Sequence, residues 1–196
     1  MFGFNGFGQS KSDSIALHFN FKLGNEKLVL NKPYISSNKD TLQISALKFY
    51  ISSIQIDYDD KTDFKQPNSY HLVDIENETS SLISITKKNN KTISRIKFAI
   101  GVDSLMSVSG ALAGDLDPTN GMYWAWQSGY INFKIEGNSS SCKTRKNQFF
   151  FHVGGYKKPN YSLKMITLDV LIPKSTIDIT INLKDFFFTE AKNPQL

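Results

Sequence analysis

The chain has one cysteine, Cys142, in 196 residues, so no intramolecular disulfide can form. Cys142 lies in a Ser-, Asn- and Lys-rich run over 138–147 that reads as a loop carrying a free surface thiol. Histidine is almost as scarce, with only His18, His71 and His152. They show no H-x-x-x-H or H-E-x-x-H spacing, and no C-x-x-C is present, so there is no zinc motif. Any metal site must be assembled from separate strands. No apolar run of about eighteen residues is present, which excludes a membrane-crossing helix. There is no G-x-S-x-G elbow, no readable Cys–His arrangement and no Gly-x-Gly pattern leading into a helix. The net charge of +5 is spread thinly, and no basic helix or RNA-binding aromatic signature accompanies it, which argues against nucleic acid as a partner. The N-terminus lacks a charged region followed by an apolar core. Residues 1–14 are therefore expected to be a flexible tail or the remnant of a leader, ahead of one domain over 15–190.

Aromatic residues are plentiful, with 15 Phe and 8 Tyr, and they favour strands. Ile15, Leu17, Phe19, Phe21 and Leu23 alternate with polar neighbours, the period of a half-buried strand. His18 falls on the opposite face. Residues 42–58 read as a long strand whose apolar phase shifts at Ser52-Ser53, so a bulge or bend is expected there. Further strands are expected at 27–30, 70–75, 82–85, 93–102, 123–136, 149–153, 163–172 and 177–183, with a polar loop over 59–68. Residues 104–121 break the pattern with glycines and Asp117-Pro118, as a long loop with a helical turn would. Many strands, few helical windows and no βαβ alternation predict an all-β, antiparallel sandwich-like domain.

Two features carry chemistry. Asp115 and Asp117 stand two apart, but no later Glu completes a calcium loop, and Asp117 before Pro118 reads better as a turn cap. Trp124 and Trp126, the only tryptophans, share one face if their segment is a regular strand. One indole is expected in the core and the other near the surface or a site, with Trp126 favoured as the site-proximal one.

Several ordered segments carry a resemblance: Leu47-Lys48-Phe49-Tyr50-Ile51-Ser52, Leu72-Val73-Asp74, Gly101-Val102-Asp103-Ser104-Leu105, Asp117-Pro118 through Gly121-Met122-Tyr123-Trp124-Ala125-Trp126-Gln127-Ser128-Gly129-Tyr130, Lys134-Ile135-Glu136-Gly137 and Phe151-His152-Val153-Gly154-Gly155. Together they resemble the MbnP-like family of copper-associated extracytoplasmic bacterial proteins, linked to methanobactin, over about residues 15–185. The Asn-, Lys- and Ile-rich composition resembles a Bacteroidetes member.

The resemblance implies a β-sandwich exported to the periplasm, the outer-membrane surface or the medium. It also implies copper held by two histidines together with a tryptophan oxidised to kynurenine by a di-haem peroxidase-like partner. An outer-membrane or surface partner fits the same setting. Carried onto this chain, the metal-site candidates are His152, His18, Trp126 and Met106. Met106 stands where many resembling members have histidine, and its thioether suits Cu(I). The expected function is copper binding or handling without turnover. The alternative is a non-catalytic cell-surface structural or interaction module whose aromatic pairs are only core.

Overall fold

The computed structural model describes residues 14–187 except 37, 38, 89, 127, 128 and 173; all of the expected N-terminal tail but Ser14 lies outside them. In chain order the strands are β1 (Ser14–Leu23), β2 (Glu26–Lys27), β3 (Pro33–Ile35), β4 (Thr41–Tyr58), β5 (Asp63–Lys65), β6 (Tyr70–Asp74), β7 (Leu82–Thr86) and β8 (Ile93–Ile100). A short helix α1 (Ser104–Val108) follows, then β9 (Tyr123–Trp124), β10 (Gly129–Ser139), β11 (Gln148–Gly154), β12 (Lys164–Asp169), β13 (Thr176–Asn182) and α2 (Lys184–Phe187). The architecture is all-β, as the alternating patterns predict.

The smaller sheet centres on β1, flanked by β13 on one edge and by β7 and β2 along the other. The β1–β13 pair is parallel, the one departure among the described residues from the expected antiparallel pairing. The larger sheet centres on β4. Phe49 pairs with both Phe133 of β10 and Val73 of β6, and Ile51 pairs with both Ile100 of β8 and His71 of β6. A residue has only two edges, so β10 and β8 occupy successive stretches of one edge of β4, and β6 lies on the other. Strands β11 and β12 pair outside β10 and β8 respectively.

The inward residues of β1 meet those of β4 and β8 face to face. Phe19 packs edge-on to Phe49 at 5.8 Å and to Phe98 at 6.1 Å, and Phe21 meets Phe49 at 6.1 Å. Leu17, Phe19 and Phe21 are all buried, as expected, and His18 faces outward. Burying each such side chain stabilises the fold by about 1.5–3 kcal/mol. Cys142 is half-buried against this core rather than lying free on the surface.

The expected bulge in β4 is present. Its register against β8 shifts between Ser52 and Gln55, and Ser53 has φ +54°. The bulge stands beside the seam where β10 gives way to β8, and buried polar groups close that seam. The Ser52 hydroxyl donates to Gly101 O at 2.7 Å. Buried Asn132 accepts from the Val102 N–H at 2.9 Å and donates to Ser162 Oγ at 2.7 Å. Gly101 has φ +114°, and a Cβ there would lie 2.6 Å from the Asn132 Cγ, so only glycine fits.

A second apolar cluster covers the outer face of the larger sheet. Tyr50, alternating with inward Phe49, anchors it with Val102, Leu116, Met122, Tyr130 and Ile131. The segment after β8 supplies most of it and is pinned by hydrogen bonds: Tyr50 Oη donates to Asp115 O at 3.0 Å, and Tyr130 Oη donates to Leu116 O at 2.8 Å. Helix α1 lies in this segment, capped by Asp103, which accepts from the Met106 N–H at 3.0 Å. The two aspartates weighed for calcium have structural partners. Asp115 Oδ2 accepts from the Leu72 N–H at 3.0 Å, and Asp117 Oδ1 accepts from the Thr119 N–H at 2.8 Å as the expected cap.

Candidate metal centre on the outer face of the larger sheet

Along β11, Phe149 points into the core and His152 points outward by alternation. His152 pairs across the sheet with Lys134, and Lys134 with Lys48. These side chains are half-buried and have partners. His152 Nε2 lies 2.7 Å from Glu136 Oε1, Lys134 Nζ lies 3.2 Å from the same oxygen, and Lys48 Nζ lies 2.8 Å from Asp74 Oδ2. Burial raises the Glu136 carboxyl, but the His152 and Lys134 hydrogen bonds outweigh it and hold the group below the usual carboxylate range. Lys134 also donates to Gly121 O at 3.3 Å, which ties this cluster to the segment carrying the tryptophans.

That segment is not one regular strand. The strand expected over 123–136 is split into β9 and β10, with Trp124 paired to Gly129 across a hairpin. Ala125 and Trp126 belong to the turn, so the two indoles do not share a strand face. The sequence carries a turn dipeptide here, Ser128-Gly129, which the reading by alternation passes over. The expected division between the indoles holds in another form. Trp124 packs in the second cluster, and Trp126 is 78% exposed, their ring centroids 5.9 Å apart. A Cβ built at Gly154 would lie 2.5 Å from Trp124 Cζ3 and 2.8 Å from Tyr130 O. Trp124 is therefore the indole seated against β11 at Gly154, two residues from His152 on the same face, and Trp126 meets Trp124 at a tilt of 44°. Met106 packs in the same apolar cluster as Trp124.

His18 stands elsewhere. It lies on the outer face of the smaller sheet, where Nδ1 sits 2.9 Å from Asp178 Oδ1 of β13. The two-sheet core separates it from His152, so the structure does not bring these imidazoles together. The reason is that both alternate out of the same core from opposite layers. His71 does not supply the missing imidazole. Its Nε2 is sealed from solvent without a hydrogen-bond partner, and burial pushes its pKa down, against a smaller upward pull from Asp115.

His71 gives a pH test. It stays neutral in the fold and takes up a proton more readily when unfolded. Its contribution to stability is therefore present above about pH 6.5, the ordinary histidine value, and is lost as pH falls through the depressed folded value. A His71→Leu variant is expected to lose less thermal stability than the parent over that acid window. Parallel melting curves from neutral to mildly acid pH check this, and superimposable pH profiles would refute it.

No group of three or more His, Cys, Asp or Glu side chains arranged for a metal occurs among the described residues. The outer-face donors do not supply two imidazoles for one ion. His152 is the one candidate imidazole on this face, and Met106 and Trp124 pack in the apolar cluster that covers the same face. Sequence reasoning missed Glu136, Lys134 and Gly154 as parts of this region. Alternation places Lys134 and Glu136 on one face, but only the β10–β11 register brings His152 to them.

Comparisons with known proteins agree with this fold. MbnP from Methylosinus trichosporium superposes with a TM-score of 0.52 at 12% identity, covering 84% of this chain and 75% of that one. No curated protein matches the sequence. The MbnP family model matches residues 12–196, the whole described sandwich with its tryptophan segment and His152, and the chain belongs to the MbnP family.

Proposed function

We propose that this chain is an extracytoplasmic copper-handling protein without turnover of its own. Its copper contact is His152, with Met106 and the Trp124–Trp126 pair as neighbours. The observation that carries this reading is the seating of Trp124 on Gly154, which sets an oxidisable indole and an anchored imidazole on one sheet face. His18, on the far face, is left out of this centre. Copper, when bound, is held here as cargo.

Intact indole offers only an N–H donor. Conversion to kynurenine opens the indole C2–C3 bond, two equivalents of hydrogen peroxide each giving one oxygen to a ring carbon and leaving as water; water then hydrolyses the bond between C2 and the ring nitrogen and releases C2 as formate. The product carries an aniline nitrogen that can meet a soft metal. The oxidant required is a peroxide, activated by a di-haem peroxidase-like partner, and exposed Trp126 is the indole such a bulky partner reaches first.

Protein made without the partner is expected to contain intact tryptophans and to bind copper more weakly than protein made with it. Mass spectrometry of the peptide spanning both tryptophans, paired with metal analysis of chelator-free preparations, checks this. The modified peptide is heavier by the difference between an oxygen and a carbon atom. Full copper binding by unmodified protein would make the indoles structural.

One observation favours a second reading, a cell-surface interaction module. Phe150, Phe151 and Val153 of β11 are 59%, 44% and 44% exposed, and apolar exposure along a strand invites a protein contact. Absence of copper from both preparations, with intact tryptophans, would leave that reading standing.

A further inference from the structure

Resting on the reading of β11 as an interaction strand, and independent of copper, we infer that its free edge takes an extended segment of a partner protein, apolar along its middle and acidic at both ends, as an added strand. Strand β11 pairs with β10 alone and closes one end of the larger sheet. Its other edge presents backbone N–H and C=O groups with no strand beside them among the described residues.

Sheet edges are commonly guarded by charged side chains or proline. The outermost strands β12 and β13 follow this rule, with Lys164 and Asp169 on one and Asp178 on the other. Strand β11 has no Lys, Arg, Asp, Glu or Pro. Only Phe149 in it is buried, so the core does not account for its other apolar residues. Phe150 is exposed on the outer face, and Phe151 and Val153 are exposed on the face that Phe149 shares. A strand laid along this edge meets apolar side chains on both faces.

The charge stands beyond the ends of the strand. Lys143, Arg145 and Lys146 precede it, and Lys157 and Lys158 follow it. All of these are exposed. The loop after β11 is held at the strand's end by the Ser162 N–H, which donates to Gly155 O at 3.0 Å. No Asp or Glu occurs between Glu136 and Asp169 in the sequence. Acidic ends on an incoming segment therefore find cations at both ends of β11. Nucleic acid and anionic lipid share the charge but lack the peptide groups that a sheet edge pairs with. A second copy is opposed by like charge. In an antiparallel self-pairing centred on Phe151, Arg145 of one copy falls opposite Lys157 of the other.

The test is hydrogen exchange on the full chain, alone and with a synthetic peptide of about a dozen residues that alternates Val and Thr in its middle and carries Glu at both ends. The control peptide has Lys in place of Glu. Alone, the β11 amides that face away from β10 are expected to exchange fast at every protein concentration. The Glu-ended peptide is expected to slow them, less so as salt rises, and the Lys-ended peptide to leave them fast. Phe150→Ser combined with Val153→Ser is expected to weaken that binding by about 10-fold or more. Lys157→Glu combined with Lys158→Glu leaves the strand itself intact and is expected to shift preference toward the Lys-ended peptide.

Equal protection by both peptides overturns the acidic partner while the interaction reading stands. Protection by neither removes the interaction reading as well. Protection of these amides without peptide, growing with protein concentration, makes a second copy the occupant. The same protection at every concentration makes the occupant a segment of this chain. Either result overturns the inference.

Discussion

Replacing His152 with alanine is expected to remove most of the copper binding while leaving the fold standing. His152 is the one imidazole on the outer face of the larger sheet, beside Trp124 and anchored by Glu136. His18 is on the far side of the core, and the His71 ring nitrogen Nε2 is sealed. No second imidazole can take over at this centre. The loss should therefore exceed the roughly 10- to 100-fold that follows removal of an outer-shell partner. The ring is half-buried on an outer face rather than packed in the core, and Glu136 keeps Lys134 as a partner when the ring is gone. Circular dichroism should be unchanged. Metal analysis of the purified variant decides the matter, and unchanged copper stoichiometry would reject His152 as a ligand.

The second large effect concerns the seam in the larger sheet. Asn132→Ala is expected to destabilise the protein by roughly 2–4 kcal/mol in chemical denaturation, because it leaves more than one polar group without a partner. Buried Val102 loses the acceptor of its N–H, and Ser162 loses the amide that its hydroxyl accepts from. The seam itself cannot supply replacements. The β10 and β8 strands meet end to end there, so no continuous ladder runs through it. A loss below about 1 kcal/mol, the worth of one ordinary hydrogen bond, would mean that backbone contacts alone close the seam. The same substitution opens space beside Gly101, which now packs against the Asn132 side chain. Loosening there should spread into the segment that carries Met106 and the tryptophans.

These expectations show why the fold was more legible than the site. The alternation of β1 placed Leu17, Phe19 and Phe21 inward because a strand has one period, and burying one face satisfies it locally. The bulge at Ser52-Ser53 was legible for the same reason, since a phase shift in an apolar pattern has few other solutions. Asp117 as a cap followed from the chemistry of Asp before Pro. Each of these outcomes is decided within a few residues along the chain.

The sequence by itself therefore determined the all-β class, most strands and their inward faces, the helical turn after Gly101 and the Asp117 cap. It also carried the ordered motifs of the MbnP family. Only the tertiary structure decided that β1 pairs with β13 in parallel, and that β8 and β10 share one edge of β4. It alone put His18 and His152 on opposite sides of one core, and Glu136 beside His152. It also broke the tryptophan strand into a hairpin that seats Trp124 on Gly154. The physical reason is common to all of these. Local pattern fixes which face of a strand is buried, but which strands become neighbours depends on pairing between distant segments. A metal centre made of one residue from each of several strands exists only once those pairings are set.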